Sequence, residues 1–402
     1  MIHPELAGRL QNIAPFHVME LAKMAAALEA DGRSIINMGI GEPDFTAAPD
    51  VIAAAAHAMA DGRMQYTPAN GIPALRQAIS HYYLKHYQVQ VDPSRIVVTA
   101  GASAALLLAC AALVEPGTEV LMPDPCYPCN RHFVAAFDGV AKLVACGPSK
   151  RFQLTASDVE QHWTPATRGV LLASPSNPTG TSIPDGELRS IVEAVRARNG
   201  FTIVDEIYQG LSYDHPPVTA LSLGEDVIVI NSFSKYFNMT GWRLGWLVVP
   251  PWMVEQIEKL AQNFFICASS IAQHAAVACF TRDSLDLHEE RRNEFQRRRD
   301  YLVPALKELG FDVPVMPDGA FYVYADCSRW SDDADRLSIE LLNEAGVVLV
   351  PGLDFGPSTA SRYLRISYAT SMENLYAAVA RMKAFFDTRK PRLLESDPAE
   401  LE

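Results

Sequence analysis

The chain has 402 residues, of which 49% are hydrophobic and 20% are charged. This composition is typical of a globular protein, and the length predicts roughly two to three domains. The net charge of −13 argues against the basic face that nucleic-acid binding requires. The first residues lack the charged-then-apolar pattern of a leader, and the seven cysteines show no disulfide-framework spacing. We therefore expect a cytoplasmic, thiol-reduced protein that binds neither nucleic acid nor membrane.

One uncharged segment, residues 96–114, is long enough to imitate a membrane span. It begins with β-branched residues, breaks at Gly101 and continues as an Ala/Leu-rich stretch. This order favours a strand over residues 96–99, a turn and a buried helix over residues 102–114.

Further apolar runs alternate with helical patterns along the first two thirds of the chain. The predicted strands cover residues 96–99, 119–122, 169–173, 201–204, 227–230 and 244–249. Most of these runs are continuously apolar, and a helix is predicted between two of them over residues 185–198. This pattern is typical of an α/β fold, in which a mostly parallel sheet is covered on both faces.

The last third of the chain has a different pattern of charged and apolar residues. A charged helix over residues 286–302 should be interrupted or kinked at Pro304. Strands are predicted over residues 321–325, 347–350 and 363–368, and a helix over residues 372–386. We predict a large domain of residues 46–284, a smaller discontinuous α+β domain of residues 1–45 and 285–387, and a frayed tail of residues 388–402.

Several motifs of other enzyme classes are missing from the sequence. No Gly-x-Gly-x-x-Gly follows a strand, which disfavours a nicotinamide dehydrogenase, and no phosphate loop ends in Gly-Lys-Ser/Thr. The histidines form no pair at metal-ligand spacing, and the single CxxC of Cys126 and Cys129 has no second pair. We therefore predict no metal site and interpret these cysteines as incidental.

The strongest local motif is Ser232-Phe233-Ser234-Lys235, which follows the strand predicted at 227–230. A lysine at the carboxyl edge of an α/β sheet lies where such sheets bind ligands. Burial would lower its pKa and favour Schiff-base chemistry, and Arg243 with the two hydroxyls would form a phosphate cradle. In isolation, a solvated lysine and a surface arginine explain the same residues.

Asp205 ends the strand predicted at 201–204, where a buried carboxylate needs a partner. A protonated pyridine nitrogen would serve, with Tyr208 turning back toward the same ligand. A structural arginine is an equally good partner on this segment alone.

Two turns complete the candidate site. The two prolines and the glycine of loop 174–180 fix Asn177 at the sheet edge, where its amide could donate to a ligand, although an asparagine also commonly serves the turn itself. The segment 99–103 joins a strand to a helix, whose first N–H groups bind phosphate well, although a simple tight turn is the alternative.

Taken in order, these motifs resemble those of a known family. From Gly-Ile-Gly-Glu-Pro-Asp-Phe at 39–45 to Tyr-Leu-Arg-Ile-Ser-Tyr at 363–368, the chain resembles fold-type I pyridoxal-phosphate enzymes of the class I/II aminotransferase family. The resemblance implies a three-layer fold, a homodimer with shared active sites, and ping-pong transfer of the amino group of an L-amino acid to a 2-oxo acid.

The resemblance also implies a role for each matching residue. Lys235 would form the Schiff base and transfer the proton, and Asp205 would pair with the pyridinium nitrogen. Arg365 would bind the substrate carboxylate with the Gly41 backbone and Asn177. The remaining cofactor contacts would come from Gly101, Ala102, Ser103, Tyr127, Asn177, Tyr208, Ser232, Ser234, Arg243 and, reaching the neighbouring subunit's phosphate, Tyr66.

The substrate side chain and two rival functions stay open at this point. Ser103 stands where some relatives have a lysine that binds a distal carboxylate. Ile13, Phe16, Phe265 and Tyr322 suggest neutral or aromatic donors, although core packing explains them equally well. A carbon–sulfur lyase on the same scaffold and a non-catalytic ligand sensor are the rival functions, and the absence of a helix-turn-helix before residue 39 disfavours the sensor.

Overall fold

A computed structural model describes residues 5–15 and 17–392, and this part of the chain forms twelve α-helices and twelve strands. The helices are α1 His17–Ala30, α2 Pro49–Ala60, α3 Pro73–Tyr87, α4 Gly101–Leu113, α5 Pro128–Ala135, α6 Ala156–His162, α7 Asp185–Arg196, α8 Val254–Phe264, α9 Ser270–Ala276, α10 Arg282–Glu308, α11 Ala334–Glu340 and α12 Met372–Asp387. The strands are β1 Ile36–Asn37, β2 Ile96–Thr99, β3 Glu119–Asp124, β4 Val140–Ala145, β5 Thr167–Ala173, β6 Phe201–Asp205, β7 Ile228–Ser232, β8 Gly245–Val248, β9 Tyr322–Asp326, β10 Val347–Val348, β11 Val350–Pro351 and β12 Tyr363–Ser367.

The largest sheet has seven strands in the order β2-β8-β7-β6-β5-β3-β4. Only β8 runs antiparallel to its neighbours β2 and β7, while the other pairs are parallel. Successive side chains of β7 point to opposite faces of the sheet and belong to different hydrophobic cores. Val229 packs on the side of α3 and α7, whereas Ile228 and Ile230 pack on the side of α4 and α8. The sheet is therefore covered on both faces, and the α/β fold with a mostly parallel sheet is confirmed.

The uncharged segment is confirmed as strand β2 followed by helix α4. Among the described residues, no helix combines the length and apolarity needed to cross a bilayer. Strand β4, in contrast, was not predicted. It lies at the edge of the sheet and is only partly buried, so that it lacks a continuous apolar run.

The last third of the chain forms a separate antiparallel sheet in the order β11-β12-β9. The strand predicted at 347–350 is divided, because β10 pairs with β1 whereas β11 pairs with β12. Of the two outcomes predicted at Pro304, an interruption of the helix is wrong, since α10 continues to Glu308, and a kink stays a prediction. A proline removes one backbone hydrogen bond, but buried Leu302 and Leu306 anchor the helix on both sides of it.

The division into two domains at residues 45 and 284 stays a prediction. At the end of the described chain, Arg389 pairs with Glu340 and Arg392 pairs with Asp332. The rest of the predicted tail, residues 393–402, lies outside the described residues, as does Phe16.

Candidate active site

A cavity of about 440 Å³ opens at the carboxyl ends of β5, β6 and β7, beside the first turn of α4. Three further elements complete its wall: the segment after β1, helix α1, and strands β9 and β12 of the smaller sheet. Parallel strands end at a common edge, which explains why residues far apart in the chain meet here.

Lys235 lies just beyond β7, and its ammonium group faces this cavity. The Nζ atom donates a 2.5 Å hydrogen bond to the Gly41 carbonyl oxygen and lies 5.9 Å from the ring centre of Tyr208. Burial lowers the pKa of Lys235 to about 8; the negative charge of Glu42 opposes this shift, and the positive charges of Arg365 and Arg243 add to it. The amine is therefore available in its uncharged, nucleophilic form close to neutral pH.

Asp205 is the last residue of β6 and is almost completely buried. Its carboxylate accepts one backbone hydrogen bond, from the Ile207 N–H at 3.0 Å, and among the described residues its cationic neighbour Lys235 acts only as a nearby charge. Burial raises the pKa of Asp205 to about 7, although the nearby charge of Lys235 lowers it. A buried carboxylate of this kind is stabilised by a cationic ligand group within the cavity.

An anion-binding cradle lies where α4 begins. The first N–H groups of α4 have no side-chain cap, and its first residue, Gly101, has φ = +82°. A Cβ atom at Gly101 would lie 2.6 Å from Nη2 of Arg243, so the missing side chain leaves room for the guanidinium group. The Ser232 and Ser234 hydroxyls are joined by a 3.0 Å hydrogen bond on the cavity wall. Together these groups have the chemistry of a phosphate site.

Arg365 approaches from β12 of the smaller sheet and is 2% exposed. Its Nη1 donates to Asn177 Oδ1 at 2.9 Å, and its Nη2 donates to the Gly39 carbonyl at 2.5 Å. The Nε atom has no hydrogen-bond partner among the described residues. The guanidinium group lies 4.5 Å from the ring centre of Tyr322. A buried guanidinium with a spare donor on a cavity wall suits a ligand carboxylate.

Tyrosines form the remaining polar contacts. The Tyr208 and Tyr322 hydroxyls are 2.8 Å apart, and burial raises the pKa of both phenols. Tyr127, at the start of α5, also lines the cavity, and burial raises its pKa as well. All three phenols therefore remain protonated at neutral pH.

Comparison with known proteins agrees with this arrangement. The model of the family described as aminotransferase class I and II matches residues 33–382. The chain belongs to this family. A valine–pyruvate aminotransferase of Mycobacterium tuberculosis is 37% identical to it over 380 residues, covering 94% of this chain and 98% of the relative.

Solved structures of other aminotransferases have the same fold. The crystal structure of an aminotransferase from Mycobacterium tuberculosis matches with a TM-score of 0.93 and 36% identity, covering 96% of this chain and all of that one. An aspartate aminotransferase from Thermus thermophilus, with maleate, matches with a TM-score of 0.90 and 32% identity, covering 95% and 100% of the two chains. The predicted family, the fold-type I architecture and the transaminase class are thus confirmed.

Most residues predicted for this aminotransferase's site do line the cavity. Gly101 lies behind Arg243, and Tyr66 is 81% exposed and outside the cavity wall. Of the residues predicted to line a side-chain pocket, Tyr322 does so, whereas Ile13 and Phe265 do not. Ile13 is exposed before α1, whereas Phe265, which follows α8, is partly buried and packs against the core on the side of α4 and α8.

Part of the wall was not predicted from the sequence: Val18, Met19 and Ala22 of α1, and Ile40 and Glu42 within the motif at 39–45. No motif contains the three α1 residues, because their position depends on how α1 packs and not on local chemistry.

Cys126 and Cys129 are separate free thiols, and burial raises the pKa of Cys126 to about 12. The Cys126 backbone N–H donates to the Phe355 carbonyl, so this residue connects the two sheets. Within the described ranges, no group of three or more His, Cys, Asp or Glu side chains is placed to hold a metal ion.

Proposed function

We propose that this aminotransferase binds pyridoxal 5'-phosphate and transfers the amino group of an L-amino acid to a 2-oxo acid in two half-reactions, with Lys235 as the Schiff-base and proton-transfer residue. One observation carries the proposal: four groups of complementary chemistry line one cavity. They are the Lys235 amine with its lowered pKa, the buried Asp205 carboxylate without an ion-pair partner, the anion cradle at the start of α4, and the Arg365 guanidinium with a free donor. Family membership supports it, because family members use this cofactor.

The groups on the wall fit the cofactor's chemistry. Its phosphate suits the uncapped start of α4 with Ser232 and Arg243, while Ser103 and Ser234 stand beside them. Its ring nitrogen, when protonated, is the cation that Asp205 lacks. Tyr208 and Asn177 line the same cavity and would contact the ring oxygen, and Tyr127 would lie against the ring.

Within this site, the chain's own residues supply binding and proton transfer. When bound, the cofactor supplies an electron sink for the charge that develops at the donor Cα. Lys235, with its pKa lowered to about 8, carries the Cα proton on Nζ. Asp205 holds the ring nitrogen protonated, and Arg365 binds the donor carboxylate while the Gly41 backbone and Asn177 contribute to its orientation.

We propose in addition that two copies form a homodimer with shared sites, in which Tyr66 reaches the partner's phosphate. Tyr66 belongs to an exposed group with Met64, Phe264 and Ile266, and the Ser270 hydroxyl joins the two segments by donating to the Gln65 carbonyl. Exposed apolar residues of this kind are typical of an interface. Sedimentation should give twice the chain mass, and Tyr66→Phe should weaken cofactor binding in that dimer. A monomer with full cofactor affinity would contradict the proposal.

The half-reaction tests the function directly. Purified protein loaded with pyridoxal phosphate is titrated with L-amino acids in the absence of any 2-oxo acid, while the visible absorption is recorded. Conversion of the visible band to that of the pyridoxamine form, reversed by a 2-oxo acid, is the expected result. Pyruvate and ammonia released from a cysteine conjugate would instead establish the lyase, and a band that no amino acid changes would favour the sensor.

A further inference from the structure

The hydrogen bond from the Lys235 amine to the Gly41 carbonyl joins two segments that lie far apart in the chain. The proposed function, on which this inference rests, needs both partners, because Lys235 carries the proton and the Gly41 backbone helps to orient the donor. Gly41 belongs to residues 38–48, the β1–α2 loop, which contains neither helix nor strand. Loops are more mobile than the elements that they connect, so contacts with other parts of the chain must hold this one in place.

Arg298 of α10 holds the β1–α2 loop by a buried ion pair. Its Nη1 and Nη2 donate to the two carboxylate oxygens of Asp44 at 2.7 and 3.0 Å, and its Nε donates to Glu294 at 3.0 Å. The Arg298 side chain is 4% exposed. A two-pronged pair of this kind fixes both the distance and the angle between its partners. The position of Asp44, three residues after Gly41, is therefore set by α10.

Arg291 lies two turns earlier on the same helix and contacts both segments. Its Nη1 donates to the Thr46 carbonyl at 2.6 Å and to Asn238 Oδ1 at 2.7 Å. The Nδ2 atom of Asn238 in turn donates to the backbone carbonyl of Lys235 at 3.0 Å. One face of α10 therefore holds the loop and also the chain that carries the reactive amine.

We infer that Arg298 and Arg291 are positioning residues for the reaction of Lys235, because they hold the β1–α2 loop so that the Gly41 carbonyl stays against the amine. All of these contacts are made within one chain, and none of them needs a partner subunit to complete it. The alternative is that the two arginines only stabilise the fold, as an ion pair elsewhere on α10 would.

Glu42 can report the position of the loop. It belongs to the β1–α2 loop, lines the cavity, and its negative charge raises the pKa of Lys235. The other charged groups that act on Lys235 are Arg365, Arg243 and Asp205, none of which belongs to this loop. Because the interaction of two charges weakens with distance, the effect of Glu42 on Lys235 measures how closely the loop is held.

The test follows the reaction of the cofactor-free protein with a small aldehyde as a function of pH. Glu42→Gln should lower the midpoint of the Lys235-dependent profile by roughly one pH unit, since it removes an anion that stabilises the ammonium form. In an Asp44→Asn background the same substitution should cause a much smaller shift, because the loop is no longer held. In an Asp214→Asn background it should keep its full effect.

Asp214 is the matched control for Asp44. Arg299, the neighbour of Arg298 on α10, is 2% exposed and donates to the two Asp214 carboxylate oxygens at 2.5 and 3.3 Å. Asp214 lies outside the cavity lining. Both backgrounds lose an ion pair between α10 and a loop, so that a general loss of stability would act alike in the two.

Three results of this titration would overturn the inference: no effect of Glu42→Gln in the otherwise native protein, the same effect in all three backgrounds, or an equal reduction in Asp44→Asn and Asp214→Asn. A profile without any Lys235-dependent phase would instead refute the proposed function.

Turnover of the loaded enzyme gives an independent measurement. Asp44→Asn and Arg291→Lys should each lower the kcat of the half-reaction by about tenfold or more, since a small misplacement of reacting groups costs up to about 100-fold. The dissociation constant of pyridoxal phosphate should change little. Asp44→Glu, which keeps the carboxylate, should recover most of the loss, and Asp214→Asn should keep the native kcat. A native kcat in Asp44→Asn or Arg291→Lys would contradict the role of the corresponding arginine.

Discussion

Arg365 and Asn177 form a buried hydrogen bond of 2.9 Å that joins strand β12 of the smaller sheet to the loop after β5 of the larger one. The Arg365 guanidinium is thereby oriented by a side chain from the opposite wall of the cavity. Two of its five N–H donors are used in hydrogen bonds to Asn177 and Gly39, so that others are left for a ligand. The geometry of substrate binding therefore depends on both sheets.

Replacing Arg365 by lysine should separate substrate binding from cofactor binding. A lysine keeps the charge but loses the planar fork, so we expect the KM of the donor to rise roughly 30-fold, equivalent to about 2 kcal/mol. The dissociation constant of pyridoxal phosphate should change little. Arg381→Lys, on α12 and bonded to Ser34, is the matched control and should change neither constant. Equal losses in both constants for Arg365→Lys would mean that this residue does not bind the substrate.

Gly101→Ala should weaken cofactor binding through Arg243. The new Cβ would lie 2.6 Å from Nη2 of that residue, and the backbone has φ = +82°. Gly117→Ala has the same backbone strain, at φ = +81°, but its Cβ would meet no atom within 4 Å. Both variants should lose about 1–2 kcal/mol of unfolding free energy. Only Gly101→Ala should bind pyridoxal phosphate more weakly in an equilibrium titration, and an equal effect in Gly117→Ala would contradict the cradle.

Tyr208→Phe and Tyr322→Phe each remove one hydroxyl of a hydrogen-bonded pair whose oxygens are 2.8 Å apart. Both variants lose that bond, worth about 1 kcal/mol. Only Tyr208→Phe removes the proposed donor to the cofactor's ring oxygen, which should raise the midpoint of the pH titration of the visible absorption band. A larger rise in Tyr322→Phe would assign the contact to the other tyrosine.

The pKa of Asp205 predicts how the stability of the cofactor-free protein depends on pH. Its folded value of about 7 exceeds the ordinary value of 3.8, so between these values the folded state binds more protons than the unfolded state. The free energy of unfolding should therefore fall as pH rises from 4 to 7, by up to about 4 kcal/mol from this residue. Urea unfolding of Asp205→Asn should show a shallower decline, and parallel curves for the two proteins would refute the shifted pKa.

The lowered pKa of Lys235 predicts how the reactivity of the cofactor-free protein depends on pH. Because its pKa is lowered to about 8 from 10.5, the cofactor-free protein should react with a small aldehyde at a rate that rises with pH and levels off above about pH 8. Lys235→Ala should remove this phase and abolish transamination while the far-UV circular dichroism stays unchanged. Lys259→Ala, at an exposed residue of α8, is the control. A fast phase that persists in Lys235→Ala would place the reactive amine elsewhere.

Particular residues show which parts of the site could be predicted from the sequence and which could not. Lys235, Asp205 and Asn177 were predicted as a group because each follows a buried strand, and parallel strands bring those ends together. Met19 was missed because its place on the wall depends on how α1 is held, through a contact of Val18 with residue 354 that no local pattern contains. Pro304 was misread for a related reason: burial on both sides of it outweighs the local rule.

The contact between α1 and Asp354 also determines when, during synthesis, α1 can be held in its final place. A ribosome makes α1 first among the described helices, yet the carboxylate that caps it comes 336 residues after Val18. A helix of 14 residues is marginal in water without tertiary contacts. A nascent chain that has already made Lys235 and Asp205 therefore still lacks the residue that holds the start of α1 beside the cavity.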